Sequence, residues 1–327
     1  MKEKLVSVIV PCYNMEDKIE RLMNSLLNQT YSNLEIIFVN DGSIDNTENV
    51  LMKYKQRLLD KGYEVLIITQ KNQGLGAAIN AGLALFKGEF FCWPDADDYL
   101  EPDSIKLRAE ILEQNPEIAV VSSDAYLRKN ESIEKVNGKL SDFYPESSEK
   151  KQFQLLLNER SFFCSGCHMV RARMFFEVNP QRVIYPARRG QNWQLLLPLY
   201  YKYPRKYLDV PLYNYIDYTD SMSKNTDDLE DLIGRYKEHY LILIKTLKMI
   251  EEVQNANLQK EIQRVEIKTT RNMYMAAIKY GNVNLAKDNF QKLKKMHVLR
   301  LQDRIKYFAI KHYCLRLLLN KMIWRKK

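Results

Sequence analysis

Five short apolar runs, Leu5–Val10, Leu34–Val39, Val65–Thr69, Glu89–Trp93 and Ile118–Ser122, punctuate the first 125 residues. Between them lie segments whose apolar residues recur at helical spacing: Met15–Gln29, Thr47–Leu59, Ala77–Phe86 and Ser104–Gln114. The runs are continuous and β-branched, as strands buried on both faces of a parallel sheet are. Strand–helix–strand repetition with right-handed crossovers predicts an open, mostly parallel α/β layer. Ligands bind such sheets at the carboxyl ends of the strands. Polar residues cluster at those ends here. Pro11-Cys12-Tyr13-Asn14 follows the first strand, Asn40-Asp41-Gly42-Ser43 the second, Gln70-Lys71-Asn72-Gln73-Gly74 the third and Pro94-Asp95-Ala96-Asp97-Asp98 the fourth. All four are expected on one edge of the sheet.

Residues 126–220 are richer in aromatics. They predict strands at Ser161–Val170 and Lys206–Tyr215 and a helix over Gln191–Tyr203. From about Thr226 the pattern is helical almost throughout, with Gly281-Asn282 as a turn. The expected organisation is a body of residues 1–220, divided at 125, followed by a helical region of 221–327.

At 327 residues, 46% hydrophobic and 28% charged, the chain suits a globular protein and not a disordered one. No run of about 18 apolar residues predicts a membrane span, and the first strand is too short for a signal peptide, so a cytoplasmic location is expected. Five scattered cysteines, Cys12, Cys92, Cys164, Cys167 and Cys314, fit reduced thiols better than a disulfide framework. The net charge of +9 is uneven: residues 286–327 carry thirteen Lys/Arg against two Asp, which leaves −2 on the remainder. The basic signal belongs to the tail.

Asp95-Ala96-Asp97-Asp98 packs three carboxylates into four residues, and like charges this close call for a compensating cation. A hard divalent ion, Mg²⁺ or Mn²⁺, would supply it and would bind diphosphate oxygens as well. The alternative is a solvated turn with Asp103 capping the next helix. Asp41 suits a nucleobase N–H, or equally a simple Asx turn. The stretch Asn72 to Asn80 resembles a glycine-rich phosphate loop opening a helix, but Ile79 stands where the dinucleotide fingerprint wants Gly or Ala. Cys164-Ser165-Gly166-Cys167-His168 has haem-attachment spacing without an export signal, and zinc would need further ligands; small residues on a buried strand are the expectation. His168 alone remains a candidate for a metal or diphosphate. In the tail, basic residues at 304, 306, 311, 316 and 321 surround a helix instead of forming one face. Trp324-Arg325-Lys326-Lys327 suits an anionic membrane surface, or a helix packed on the body with its charges reaching solvent.

The four edge motifs occur in order over about the first 110 residues and together resemble the family 2 glycosyltransferases of the GT-A fold. That resemblance implies a Rossmann-like, mostly parallel sheet flanked by helices, and transfer of a sugar from a nucleotide diphosphate, usually UDP-linked, with inversion. By the same resemblance Pro11, Tyr13 and Asp41 line the base and ribose, with Asn14 and Glu16 beside them. Asn72, Gly74 and Asn80 join the donor side, Asp95 faces ribose or metal, and Asp97 is the principal ligand of Mn²⁺ or Mg²⁺, a Lewis acid for the leaving diphosphate.

Many relatives carry Glu-Asp before an aromatic residue, with the Asp as general base. Gly190-Gln191-Asn192-Trp193-Gln194 occupies that place here, and resembles a variant of bacterial surface-polysaccharide transferases. An amide cannot take the proton. Asn192 thus marks the motif position, and Asp124, His168, Asp217 and Asp220 are the candidate bases. Gln191, Asn192 and Trp193 are expected at the acceptor. The processive-synthase signature Gln-x-x-Arg-Trp is absent, so addition of one or a few sugars to a saccharide or lipid-linked saccharide is expected, at the inner face of the cell membrane. The rivals are a sugar nucleotidyltransferase, which would want a basic glycine-rich loop after the first strand, and a nucleotide-sugar-binding protein without a base. Nucleic acid is not an expected partner, because base-stacking and groove-reading motifs are missing.

Overall fold

The computed structural model describes residues 3–161, 164–218 and 228–311. The chain divides into two compact units, one within residues 1–221 and one within 222–327. In the first, the described residues form a nine-stranded sheet of β1 (Val6–Cys12), β2 (Leu34–Asn40), β3 (Glu64–Thr69), β4 (Phe90–Cys92), β5 (Tyr99–Leu100), β6 (Val120–Lys129), β7 (Gly138–Lys139), β8 (His168–Arg171) and β9 (Arg205–Asp217). Its helices are α1 (Glu20–Leu27), α2 (Thr47–Asp60), α3 (Leu75–Leu85), α4 (Ser104–Gln114), α5 (Gln152–Leu157), α6 (Ala172–Val178) and α7 (Gln191–Lys202).

The strand order is β3-β2-β1-β4-β8-β6-β9-β5, with β7 beside β6. From β3 to β4 every pairing is parallel. β8 then enters antiparallel between β4 and β6, and β9 runs parallel to β6. The layer is therefore mixed, and the fourth and fifth strands expected from the sequence are not neighbours.

β1 and β2 are buried along their whole length because both faces are covered. Val6, Val8 and Val10 share one core with Leu22, Met23 and Leu26 of α1, Leu51 and Leu58 of α2, and Ile105 and Leu112 of α4. Ile9 points the other way, against α3, where a Cβ on Gly82 would sit 2.3 Å from its methyl group. On the face of β2 away from that core, one carboxylate is buried. Glu35 accepts the Ser7 hydroxyl at 2.5 Å and the Lys87 amide at 2.9 Å, so its burial leaves it hydrogen-bonded.

Several elements differ from the expectation. α1 starts at Glu20 and not at Met15, because the Met15 and Glu16 amides are held by Thr47 and Asp45 of the next loop. The predicted strand Ser161–Val170 is a short 3₁₀ turn, Ser165–Cys167, followed by the four-residue β8; residues 162 and 163 lie outside the described residues. β6 runs on to Lys129 through a bulge at Asp124. Asp103 stands at the start of α4 without capping it, and its carboxylate takes the Thr30 hydroxyl at 2.6 Å.

The second unit contains α8 (Leu229–Gln254), α9 (Gln259–Tyr280), α10 (Val283–Lys295) and α11 (Leu301–Lys311). Gly281, left-handed at φ 72°, ends α9, and the Asn282 side chain caps α10 through the Leu285 amide at 3.0 Å. Tyr274, Ala277, Ile278, Ala286, Leu293 and Ile310 form its core. The Arg271–Asp303 ion pair ties α9 to α11. The tail from residue 312 onward, with Cys314 and Trp324, lies outside the described residues. No helix among the described residues is long and apolar enough to cross a membrane.

Gly82→Ala places a methyl group in the contact between α3 and Ile9. It is expected to destabilise the chain by about 1–3 kcal/mol, the usual cost of overpacking. Urea denaturation measures this; an unchanged midpoint would show that the α3–β1 contact relaxes freely.

Candidate active site

Trp93 to Asp98 leave the end of β4 and re-enter the sheet as β5, which pairs with β9. The three carboxylates between them have different surroundings. Asp95 accepts the Ser165 hydroxyl at 2.6 Å, and its amide donates to the Tyr213 hydroxyl at 3.1 Å. Burial, then the neighbouring Asp97 charge, pushes its carboxyl up to about 7 against the opposing Ser165 bond. Asp97 is raised by burial and moderated by its own backbone amide, Lys18 and Arg21. Asp98 is buried and accepts the Ile216 amide at 2.8 Å. Burial and the other two acids raise it well above the usual range, although Ile216 and Tyr213 oppose this.

Ser165 is held in turn. The adjacent Gly166 carbonyl accepts from Arg108, a fully buried guanidinium that also grips Ser104 through its backbone oxygen and hydroxyl. Gly166 leaves no room for a side chain, since a Cβ would lie 2.0 Å from the Tyr213 ring. Ser165, Tyr213 and Arg108 thus shape the acid loop, Tyr218 bonds it through the Asp97 carbonyl at 3.2 Å, and nothing in the sequence marks these residues for that role. The small-residue run 164–168 was the visible trace of the Gly166–Tyr213 contact.

The loops after β1 and β2 are sewn together. Asn14, at φ 53°, accepts the Ile44 amide at 3.0 Å and gives its own amide to Ser43. Glu16 accepts the Asn46 amide at 2.7 Å, while Asp45 accepts the Glu16 amide. Asn14 and Glu16, expected to touch the donor, therefore use these side-chain oxygens to join two loops. Pro11 is buried in β1, whereas Tyr13 stands 43% exposed at the edge.

Asp41 joins the second loop to the third. Its carboxylate accepts the Gln70 side chain at 2.7 Å, the Gln73 amide at 3.0 Å and the Gly74 amide at 2.7 Å. The oxygens expected to meet a nucleobase are engaged within the chain. Gly42 must be glycine, since its φ is 71° and a Cβ would meet the Asn72 backbone at 2.7 Å. Asn72 is exposed at this edge. Asn80 uses both ends of its amide on the Ile184 backbone, 2.8 Å each way, so it positions the 184–188 segment instead of facing a donor.

That segment leads into α7 through Gly190, left-handed at φ 77°. Asn192 is buried, and its amide oxygen accepts the Trp93 indole N–H at 2.7 Å. Trp193, expected at the acceptor, is also buried and donates to the Leu156 carbonyl at 3.3 Å. Gln191 begins α7, 8% exposed. Among the candidate bases, Asp124 lies fully buried at the β6 bulge and accepts the Ser141 hydroxyl at 2.6 Å and the Ala125 amide at 2.8 Å. His168 is buried, stacked on Trp93 and bonded through Nδ1 to Ser122 at 2.9 Å. Asp217 closes β9 with part of its surface exposed, and Asp220 lies outside the described residues.

Among the described residues no three His, Cys, Asp or Glu side chains converge as a metal cluster. Asp98 is turned to Ile216, which leaves Asp95 and Asp97. Two crowded carboxylates fit Mg²⁺ or Mn²⁺, which commonly take one or two protein carboxylates and complete their shell with substrate phosphates and water.

A family model described as "Glycosyl transferase family 2" matches residues 7–178, more than half of the chain. The chain belongs to glycosyl transferase family 2. Among curated family relatives, glycosyltransferase GlyA of Streptococcus pneumoniae is 34% identical over 46% of this chain and 23% of its own length. Chondroitin synthase of Pasteurella multocida is 42% identical over 32% of this chain and 10% of its own length. The chain thus spans well under half of either relative. Among solved structures, S. aureus TarS 1–349 aligns with a TM-score of 0.57 at 17% identity, covering 98% of this chain and 92% of that one; TarS has also been solved with UDP-GlcNAc. This likeness shows a GT-A-like fold with a C-terminal helical region.

An acid whose folded pKa exceeds its unfolded value binds more protons when folded, so Asp95 favours the fold below about pH 4 and loses that contribution as pH rises towards 7. Asp97→Asn removes part of the repulsion behind this and is expected to make the metal-free chain more stable than wild type at about pH 8, with the gap closing by about pH 5. Melting curves at both pH values, with an equal gap at each, would refute the charge crowding. Separately, Asn192→Ala leaves the Trp93 indole N–H buried without its acceptor, at about 1–3 kcal/mol. A double-mutant cycle with Trp93→Phe, in which the donor is also gone, is expected to recover part of that loss.

Proposed function

We propose that this chain transfers a sugar, with inversion, from a nucleotide diphosphate donor of the UDP type to a saccharide or lipid-linked saccharide in cell-surface polysaccharide synthesis. The observation that carries this is the acid loop. Asp95 and Asp97 are crowded at the carboxyl edge of the sheet with their charges disfavoured by burial, an arrangement a diphosphate-bound cation would relieve. A bound Mg²⁺ or Mn²⁺ would supply Lewis-acid stabilisation of the departing diphosphate. Ser165 orients Asp95, while Asp98 anchors the loop to β9 and is not a ligand. The exposed Tyr13 ring offers a face to the nucleobase, and the sewn loops give it a rigid mount. Of the described candidate bases, Asp217 is the one with exposed surface; Asp124 and His168 lie beneath the edge.

A cytoplasmic setting at the membrane's inner face follows from the same proposal. Its support is the concentration of positive charge in residues 286–327, which suits anionic lipid.

One observation favours a second reading, a donor-binding chain without catalysis: the motif position for the base holds an amide already bonded to Trp93. Melting measured with UDP-, GDP- and TDP-sugars, each with and without Mn²⁺, is the test. One nucleotide series is expected to raise the melting temperature, more so with Mn²⁺, and Asp97→Asn to abolish the Mn²⁺ part. No shift with any donor sinks the proposal. A shift without donor turnover, with or without saccharide acceptors, selects the second reading.

A further inference from the structure

Lys18, just ahead of α1, and Arg21, in its first turn, converge on the phenol of Tyr218 directly after β9. The Lys18 ammonium lies 4.1 Å from the ring centroid, a cation–π distance. The Arg21 guanidinium donates to the hydroxyl, which itself donates to the Asp97 backbone carbonyl at 3.2 Å. One ring therefore ties two cations to the backbone of the acid loop. Their shared partner is a phenol and not a carboxylate, although both charges reach the Asp97 carboxyl and oppose its burial. The Arg21 Nε is buried without a hydrogen-bond acceptor.

Two cations on one ring repel, and a single carboxylate offsets only one of them. If Asp95 and Asp97 hold a divalent ion, those three groups sum to about zero charge, and the carboxylates are no longer available to Lys18 and Arg21. The pair then needs an anion bearing more than one charge at the same place. The distal phosphate of the departing diphosphate provides that: it carries one charge while esterified to the sugar and about −1.5 to −2 at neutral pH once the bond to the sugar has broken.

We propose that Lys18 and Arg21 bind the distal phosphate of the nucleoside diphosphate, and that Tyr218 is a positioning residue that aims Arg21 at it. This rests on the donor assignment above. Lys18 and Arg21 then distinguish the diphosphate from shorter nucleotides, while the base is recognised elsewhere on the edge.

Calorimetric titration of the full chain with Mn²⁺ and UDP, UMP or uridine tests this; the guanosine or thymidine set replaces it if the wild-type chain binds that base instead. Lys18→Gln and Arg21→Gln are each expected to weaken the diphosphate about tenfold, the monophosphate less than about twofold and the nucleoside not at all. Lys18→Arg is expected to restore binding. Tyr218→Phe keeps the ring under Lys18 and loses the hydroxyl. It is expected to weaken the diphosphate alone and to add nothing on top of Arg21→Gln. Unchanged diphosphate affinity, or equal weakening of diphosphate and monophosphate in variants that melt like wild type, overturns the assignment. A wild-type chain that binds none of the three diphosphates overturns the donor reading and this one with it.

Discussion

Three carboxylates within four residues, brought to the end of a buried strand, repel one another in surroundings that weaken their hydration. Much of the first unit can be understood as the means of holding them there. β9 supplies the Ile216 amide and Tyr213 hydroxyl, and Tyr218 just beyond it bonds the loop's backbone. The antiparallel β8 brings Ser165 to Asp95, and Arg108 fixes that turn from below at the cost of burying a guanidinium. A sheet that stayed parallel throughout would have offered no strand start at this edge, and so no Ser165.

The neighbouring loops show the same economy of polar groups. Asn14, Glu16 and Asp41 look like ligand residues because they are polar and gathered at the carboxyl ends of β1 and β2. Their side chains accept hydrogen bonds from backbone amides of the neighbouring loops. Fixing these loops before a ligand arrives lowers the ordering entropy that binding must overcome. The outward-facing groups are those the sewing leaves over, Tyr13 above all.

The parallel half of the sheet was legible because strands covered on both faces must be continuously apolar, and β1 and β2 are. The acid loop was legible because three acids in four residues have few structural uses. The rest was hidden for physical reasons. β8 has four residues, too few to show a period. The partners of Asp95 and Asp98 lie 70 to 118 residues away in sequence, and nothing in a serine or tyrosine announces a carboxylate at that remove. Asn192 was seen as an amide where a base was expected, but its acceptance of the Trp93 indole depends on α7 packing behind β4.

Asn80 on α3 and the 184–188 segment have a bearing on how such a chain can be recombined. The amide clasps Ile184 from both sides, and Gly76 admits the backbone of Tyr185 and Ala187 within about 3 Å of where a Cβ would stand. The matched family region ends at residue 178, before this clasp closes. A hybrid that kept the first 178 residues and borrowed the remainder from a relative would inherit half of a latch. Exchange of the segment beyond residue 178 between relatives is therefore constrained at positions 76 and 80, about a hundred residues upstream, and these two residues have to travel with the segment they hold.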